Sequence, residues 1–202
     1  MKYKFITFEG VEGCGKSTQS KLLHDSLTQK NISATLTREP GGTKASEAIR
    51  EVLLSDDFET LEGRTETFLN FASRIEHVEK LIKPTIARSE VVICDRFFDS
   101  TIAYQGYGFG GDIDQIKTLN KIAIGEFSPD ITFLIDIDVE KTFARIGSRD
   151  TNNRYERLGL DFHKRVRSGF LKIAESNKRV VVIDGNKGIE EIAQEVLDIL
   201  LL

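Results

Sequence analysis

Residues 5–18, Phe5-Ile6-Thr7-Phe8-Glu9-Gly10-Val11-Glu12-Gly13-Cys14-Gly15-Lys16-Ser17-Thr18, constrain the fold more than any other stretch of the chain. A short apolar run with the character of a buried strand enters Gly10-x-x-x-x-Gly15-Lys16-Ser17, the phosphate-binding loop pattern. A helical stretch leaves it at once, with Leu22, Leu23 and Leu27 on one stripe. Gly10, Gly13 and Gly15 let the backbone curl so that successive N–H groups point at one anion. Lys16 can then reach the outer phosphates of a nucleotide, and the Ser17 hydroxyl can hold a magnesium ion. The helix beginning near Gly15 brings its positive dipole end to the same point. A chance glycine-rich turn need not sit between a strand and a helix; this one does, and it is read as a nucleotide site.

Further strand-like runs recur at Ala34–Thr37, Val91–Cys94, Ile131–Ile135 and Val180–Ile183, after the first at Phe5–Phe8, separated by amphipathic helical stretches. Short, continuously apolar strands alternating with helices predict an α/β fold, a three-layer doubly wound parallel sheet of about five strands. Its ligands belong beyond the carboxyl ends of the strands. The length, 202 residues, suits a single domain over 1–202. The net charge of −4 argues against a nucleic-acid coat or a membrane-surface protein, and with no secretory signal or spanning segment the expectation is a soluble, cytoplasmic chain. Cys14 and Cys94 lack Cys-x-x-Cys spacing and are expected as small buried thiols rather than a disulfide. His24, His77 and His163 show no metal-ligand spacing.

The polar residues after each strand carry the chemistry. Thr37-Arg38-Glu39-Pro40-Gly41-Gly42-Thr43 is a loop whose last residue can cap a helix over Lys44–Leu54. A longer helix from about Thr65 repeats Phe68, Phe71, Ala72, Ile75, Val78 and Ile82, with Pro84 kinking it or opening a second segment. The third strand ends in Asp95-Arg96-Phe97-Phe98-Asp99-Ser100. Alone, Asp95-Arg96 reads best as a surface ion pair; beside a phosphate loop, Asp95 becomes a candidate metal-water ligand and Arg96 a phosphate clamp. Gly106, Gly108, Gly110 and Gly111 are expected in a flexible turn before a helix over 112–124. Residues 141–172 hold nine basic side chains against three acids. Lys164–Lys172 reads as a solvated helix face. The polar loop around Arg149 is either more of the same or a lid, at about 147–156, that closes over phosphates.

The phosphate loop alone fits ATPases, guanine-nucleotide switches and small-molecule kinases. No Asn-Lys pair here is followed by Asp two places on, and no Asp-x-x-Gly occurs, which disfavours a guanine switch. The segments together resemble the thymidylate kinase family. Phe8–Thr18 is similar to its phosphate loop, Thr37–Thr43 to its second motif, and Asp95–Ser100 with Ala103-Tyr104-Gln105-Gly106 to its third. Ser128-Pro129-Asp130 and the lid arginines follow in the family's order, so the resemblance spans nearly the whole chain. It implies the phosphate-loop fold with a helical lid, a homodimer, and transfer of the ATP γ-phosphate to the small-molecule substrate dTMP with Mg²⁺. It also implies ATP binding by Gly10, Val11, Glu12, Gly13, Cys14, Gly15, Lys16, Ser17 and Thr18, with Lys16 on the β/γ-phosphates and Ser17 and Asp95 at the metal. Glu12, Arg38, Arg74, Arg96, Ser100 and Tyr104 are expected around the acceptor, Arg96 bridging donor and acceptor phosphates. The loop carries no basic residue between its end glycines, so the stabilising arginine must come from the lid, Arg149 or Arg154. Where the family commonly stacks a Phe on the base, this chain has Asn70; Phe71 either stacks instead or belongs to the core. A kinase of another small acceptor and a non-catalytic nucleotide-binding module are the alternative readings.

Overall fold

The computed structural model describes residues 2–55, 61–146, 155 and 157–201. Five strands, β1 (Phe5–Glu9), β2 (Ala34–Arg38), β3 (Val91–Asp95), β4 (Ile131–Asp136) and β5 (Val180–Asp184), form one parallel sheet in the order β2-β3-β1-β4-β5. The three central strands are buried along nearly their whole length because helices cover both of their faces, whereas β2 and β5 are edges and expose alternate residues toward their ends. Along β1, Ile6 and Phe8 join the larger core with Ile93 and Phe133. Phe5 turns the other way, to Val78, Ile82, Val92, Cys94 and Phe97.

The chain winds through α1 (Lys16–Gln29), α2 (Lys44–Leu54), α3 (Gly63–His77), α4 (Lys83–Ala87), α5 (Phe98–Thr101), α6 (Ile113–Ile124), α7 (Val139–Ile146), α8 (Leu160–Ser176) and α9 (Ile189–Leu200). Thr43 caps α2 as expected, its Oγ1 accepting from the Ser46 N–H at 3.2 Å. The long helix does not stop at Pro84. A π-helical stretch, Val78–Ile82, leads directly into α4, and Pro84 lies in the first turn of that helix, just after the widened stretch that departs from the regular α-helical ladder.

The expected flexible turn at Gly106–Gly111 is corrected for its first half. A π-helical stretch, Ile102–Gly108, extends α5, and Gly106 and Gly108 are buried within it. A Cβ on Gly108 would lie 2.8 Å from the Phe162 ring and 2.9 Å from Val166, so glycine here permits close packing on α8. Only Gly110, with φ +76°, and Gly111 belong to the turn. The basic face of α8 is also more than a solvated surface. Arg167 makes a fork with Asp136 (2.7 and 2.9 Å), and Arg165 donates to the Gly108 carbonyl at 3.0 and 2.9 Å. Among the described residues no helix is long and apolar enough to cross a membrane.

Candidate active site

Parallel register sets the carboxyl ends of neighbouring strands side by side: Arg38 pairs with Asp95, and Asp95 with Phe8. The loop after β1 takes positive φ at Gly10 (+142°), Gly13 (+74°) and Gly15 (+105°). Gly10 has a second reason to lack a side chain, since a Cβ would lie 2.6 Å from the Ile135 carbonyl oxygen and 2.7 Å from Cys14 Sγ. Val11 and Cys14 turn into the core, each 2% exposed, so their part in binding a phosphate is confined to backbone N–H groups. Lys16 Nζ donates to the Val11 carbonyl at 2.7 Å, folded over the loop it would release on meeting phosphate. The Ser17 hydroxyl donates to Asp95 Oδ2, and Asp95 Oδ1 is buried with no hydrogen-bond partner among the described residues.

One cavity lies over these loops, lined by Glu12, Gly13, Gly15, Lys16, Ser17 and Thr18 on one side. Arg38, Arg74, Asp95, Arg96, Ser100 and Tyr104 line its other walls. Arg96 is the hub. Its Nη2 donates to Glu12 Oε1 at 2.7 Å and to the Tyr104 hydroxyl at 3.1 Å, and its Nη1 to the Gly10 carbonyl at 3.1 Å and Ser100 Oγ at 3.0 Å. Burial acts against the guanidinium charge, but Glu12 and its neighbours outweigh it and raise the Arg96 pKa well above the ordinary value. For Glu12 the balance runs the same way: burial opposes ionisation, Arg96 and Lys16 favour it, and the pKa is lowered. Burial likewise raises the Tyr104 phenol, so this group is a neutral hydrogen-bond donor.

Arg74, on α3, is buried to 2% and sits between the Phe71 and Phe97 rings, 5.3 Å from each centroid. Its Nε donates to Glu39 Oε2 at 2.8 Å and its Nη2 to Thr101 Oγ1 at 3.1 Å. Glu39 also meets His77 Nδ1 at 3.1 Å, and the opposite ring nitrogen faces Thr37 Oγ1 at 2.8 Å. Arg74 Nη1 has no partner among the described residues. It is a buried donor on the cavity wall, suited to a ligand oxygen.

Two expectations need adjustment. Phe71 does not line the cavity; it is 4% exposed and packs on Phe98 in the core, while Asn70 takes the lining position. Stacking of Phe71 on a base is therefore replaced by a core role. Arg149 and Arg154 lie outside the described residues, as does most of the lid at 147–156; Tyr155 alone of that stretch is placed, lining the cavity with its hydroxyl 3.0 Å from Glu66 Oε2.

The sequence reading missed Arg50. It sits on α2, lines the cavity and donates to the Pro40 carbonyl at 2.8 Å. Burial and then the neighbouring Arg38 charge lower its pKa, while Glu47, which accepts from Arg38 at 2.8 Å, acts the other way. A mid-helix arginine reads as a solvated side chain, and only the turn of α2 over the second loop reveals it. Glu9 was also given no role. It is 1% exposed at the end of β1, and burial together with the Asp99 charge raises its pKa to about 7.

A parallel sheet with a phosphate loop at its central strand, and cations from the neighbouring strands converging on one cavity, defines a phosphate-loop kinase. The family model "Thymidylate kinase" matches residues 8–196. A thymidylate kinase of Trichodesmium erythraeum is 45% identical, the match covering 98% of this chain and 95% of the relative. One from an Exiguobacterium species is 46% identical over 98% and 94%. The crystal structure of thymidylate kinase from Ehrlichia chaffeensis superposes with a TM-score of 0.82 at 40% identity, covering 99% of both chains. The chain belongs to the thymidylate kinase family and is by that membership a nucleoside monophosphate kinase.

Proposed function

We infer that the chain transfers the γ-phosphoryl group of ATP to the 5′-phosphate of dTMP, giving dTDP and ADP, as one kinase domain over 1–202 with a lid at about 147–156. The observation that carries this reading is the position of Arg96. Its guanidinium is held against the phosphate loop, in a cavity shared by Lys16 and Ser17 on one side and by Arg38, Arg50 and Arg74 on the other. The first pair suits the ATP phosphates and the second set suits an acceptor that is itself a phosphate monoester. Arg96, between them, suits the group in transit.

The donor set fits magnesium: Asp95 keeps an unpartnered buried oxygen beside the Ser17 hydroxyl, and both are hard oxygen ligands. Bound there, magnesium would neutralise charge on the phosphate oxygens. The remaining work belongs to the chain. Lys16 and the loop N–H groups bind the β/γ-phosphates; Arg38 and Arg50 hold the acceptor phosphate; Arg149 or Arg154 of the lid adds positive charge as the phosphoryl group moves. No general base is needed, because the acceptor is already an anion, and positioning with charge neutralisation carries the rate. At the far end, the buried Arg74 Nη1 suits a base carbonyl, and Tyr104 and Ser100 border the sugar.

ADP formation with Mg-ATP against dTMP, dUMP, dCMP, AMP, GMP, thymidine and no acceptor tests the assignment. Marked preference for dTMP is the expected result. A preference for another acceptor would discard the base-pocket reading, and ATP binding without turnover would discard the reaction.

The same reading includes a homodimer in the cytoplasm. Phe68 (54% exposed) and Ile75 (39%) lie seven residues apart on one face of α3, with Val52 (38%) on the adjoining α2, and this apolar face supports pairing through the long helix. Light scattering at micromolar protein should give about twice the 22.7 kDa chain mass; a mass near 22.7 kDa would remove the dimer. Cys14 and Cys94 are both buried free thiols, in keeping with a reducing compartment.

A further inference from the structure

We propose that Glu9 is a positioning residue for phosphoryl transfer: from the end of β1 its buried carboxyl group caps α5 and, through Ser100, orients the Arg96 guanidinium. The inference rests on the assignment of Arg96 to the transferred group.

Strand alternation sends Phe5, Thr7 and Glu9 to the same face of β1, so Glu9 points into the molecule, at 1% exposure, rather than into the nucleotide cavity. A carboxyl group is seldom buried this fully without a task. Its contacts converge on one short segment. Oε1 accepts from the Phe97 N–H at 2.8 Å and the Ser100 N–H at 3.3 Å, and Oε2 accepts from the Ser100 hydroxyl at 2.6 Å. Phe97 occupies the cap position of α5 and has no side-chain oxygen for the unpaired N–H groups of the first turn. Glu9 supplies that oxygen from another element, as Ser or Asp would from the cap itself.

The cap acts on Arg96 in two ways. Ser100 has one hydroxyl hydrogen and gives it to Glu9, which leaves its lone pairs for Arg96 Nη1 at 3.0 Å. The backbone is held as well. Arg96 has φ +70°, a left-handed conformation that a residue with a Cβ adopts only where its surroundings impose it. Its own N–H donates to the Phe8 carbonyl at 2.9 Å, and the next N–H, that of Phe97, donates to Glu9. Consecutive residues of β1 thus grip both sides of the strained position. Asp99 lies beside this group, fixed by Arg179 at 2.7 Å, so the segment carrying Ser100 is tied down from a second direction.

The test compares Glu9→Gln, Ser100→Ala and the double variant for kcat and for KM of ATP and dTMP, with Arg96→Ala alongside. In Glu9→Gln an amide NH₂ would donate to Ser100 where a carboxyl oxygen accepted, which takes one Ser100 lone pair and leaves its hydroxyl hydrogen unanchored beside Arg96 Nη1. We expect each single variant to lower kcat about tenfold or more with both KM values within about threefold. The double variant should be no slower than the slower single, because both changes break one chain of contacts. The proposal is overturned by kcat within about twofold of the parent in Glu9→Gln, by losses that multiply in the double variant, or by a Ser100→Ala effect confined to the KM of dTMP. Should Glu9→Gln fail to fold, Ser100→Ala carries the test alone, and an unchanged kcat there overturns the proposal. Failure of the underlying reading looks different: a parent inactive on dTMP, or Arg96→Ala at full rate.

Discussion

Arg96→Ala should lower kcat for dTMP phosphorylation by about 10²- to 10³-fold, the usual cost of deleting one preorganised donor from a site that stabilises developing charge. The expectation follows from how the guanidinium is held. Two nitrogens make four contacts, to the Gly10 carbonyl, Glu12, Ser100 and Tyr104, and the ring of Tyr104 lies 5.0 Å from the guanidinium carbon. The guanidinium's orientation is set before the phosphoryl group arrives, which it would meet by exchanging some of these contacts, since all four Nη hydrogens are engaged. Arg96→Lys should recover little, because an ammonium group cannot span Glu12 and Ser100 with two separate nitrogens. The KM for ATP should change far less than kcat, since Lys16 and the loop N–H groups remain. Steady-state kinetics at saturating Mg-ATP decide the matter: a loss seen only in KM would move Arg96 from the transferred group to ground-state binding.

Arg74→Met should destabilise the protein by roughly 3–5 kcal/mol, as removing one partner of a buried ion pair leaves the other charge stranded. Glu39 is 4% exposed and receives two nitrogens of Arg74, and among the described residues its other ion-pair partner is the His77 ring. Methionine fills the slot between Phe71 and Phe97 but offers Glu39 nothing. For a chain of this length the loss corresponds to a fall in Tm of roughly 10 °C. Removing both members, as Glu39→Gln with Arg74→Met, should recover part of it. A single variant melting within about 2 °C of the parent would show that Glu39 finds another partner. The KM for dTMP should rise in parallel, because the variant also loses the unpartnered Nη1 on the cavity wall.

All five strands were visible in the sequence, and each runs one residue beyond its apolar core. The added residues are Glu9, Arg38, Asp95, Asp136 and Asp184, charged groups that read as loop but stay in the ladder because the site lies at that edge. Candidate site residues announced by a motif, Lys16, Ser17, Asp95 and Arg96 among them, were equally plain, and all four line the cavity. Phe71 was not, since neighbouring positions on a helix differ by about 100°, and a shift of one residue exchanges the cavity-facing side chain for a core one. Arg50 and Glu9 escaped for a related reason. Each takes its meaning from contacts with a distant segment, Pro40 for one and Phe97–Ser100 for the other, and no local pattern encodes those.

The phosphate loop is rooted rather than draped. Val11 and Cys14 are embedded among the core side chains, and Gly10 lies too close to the Ile135 carbonyl for any side chain to intervene. Opening the cradle therefore means opening the centre of the sheet. The ability to bind nucleotide should vanish at the same temperature as the fold, with no earlier step in which the site softens while the body stays intact.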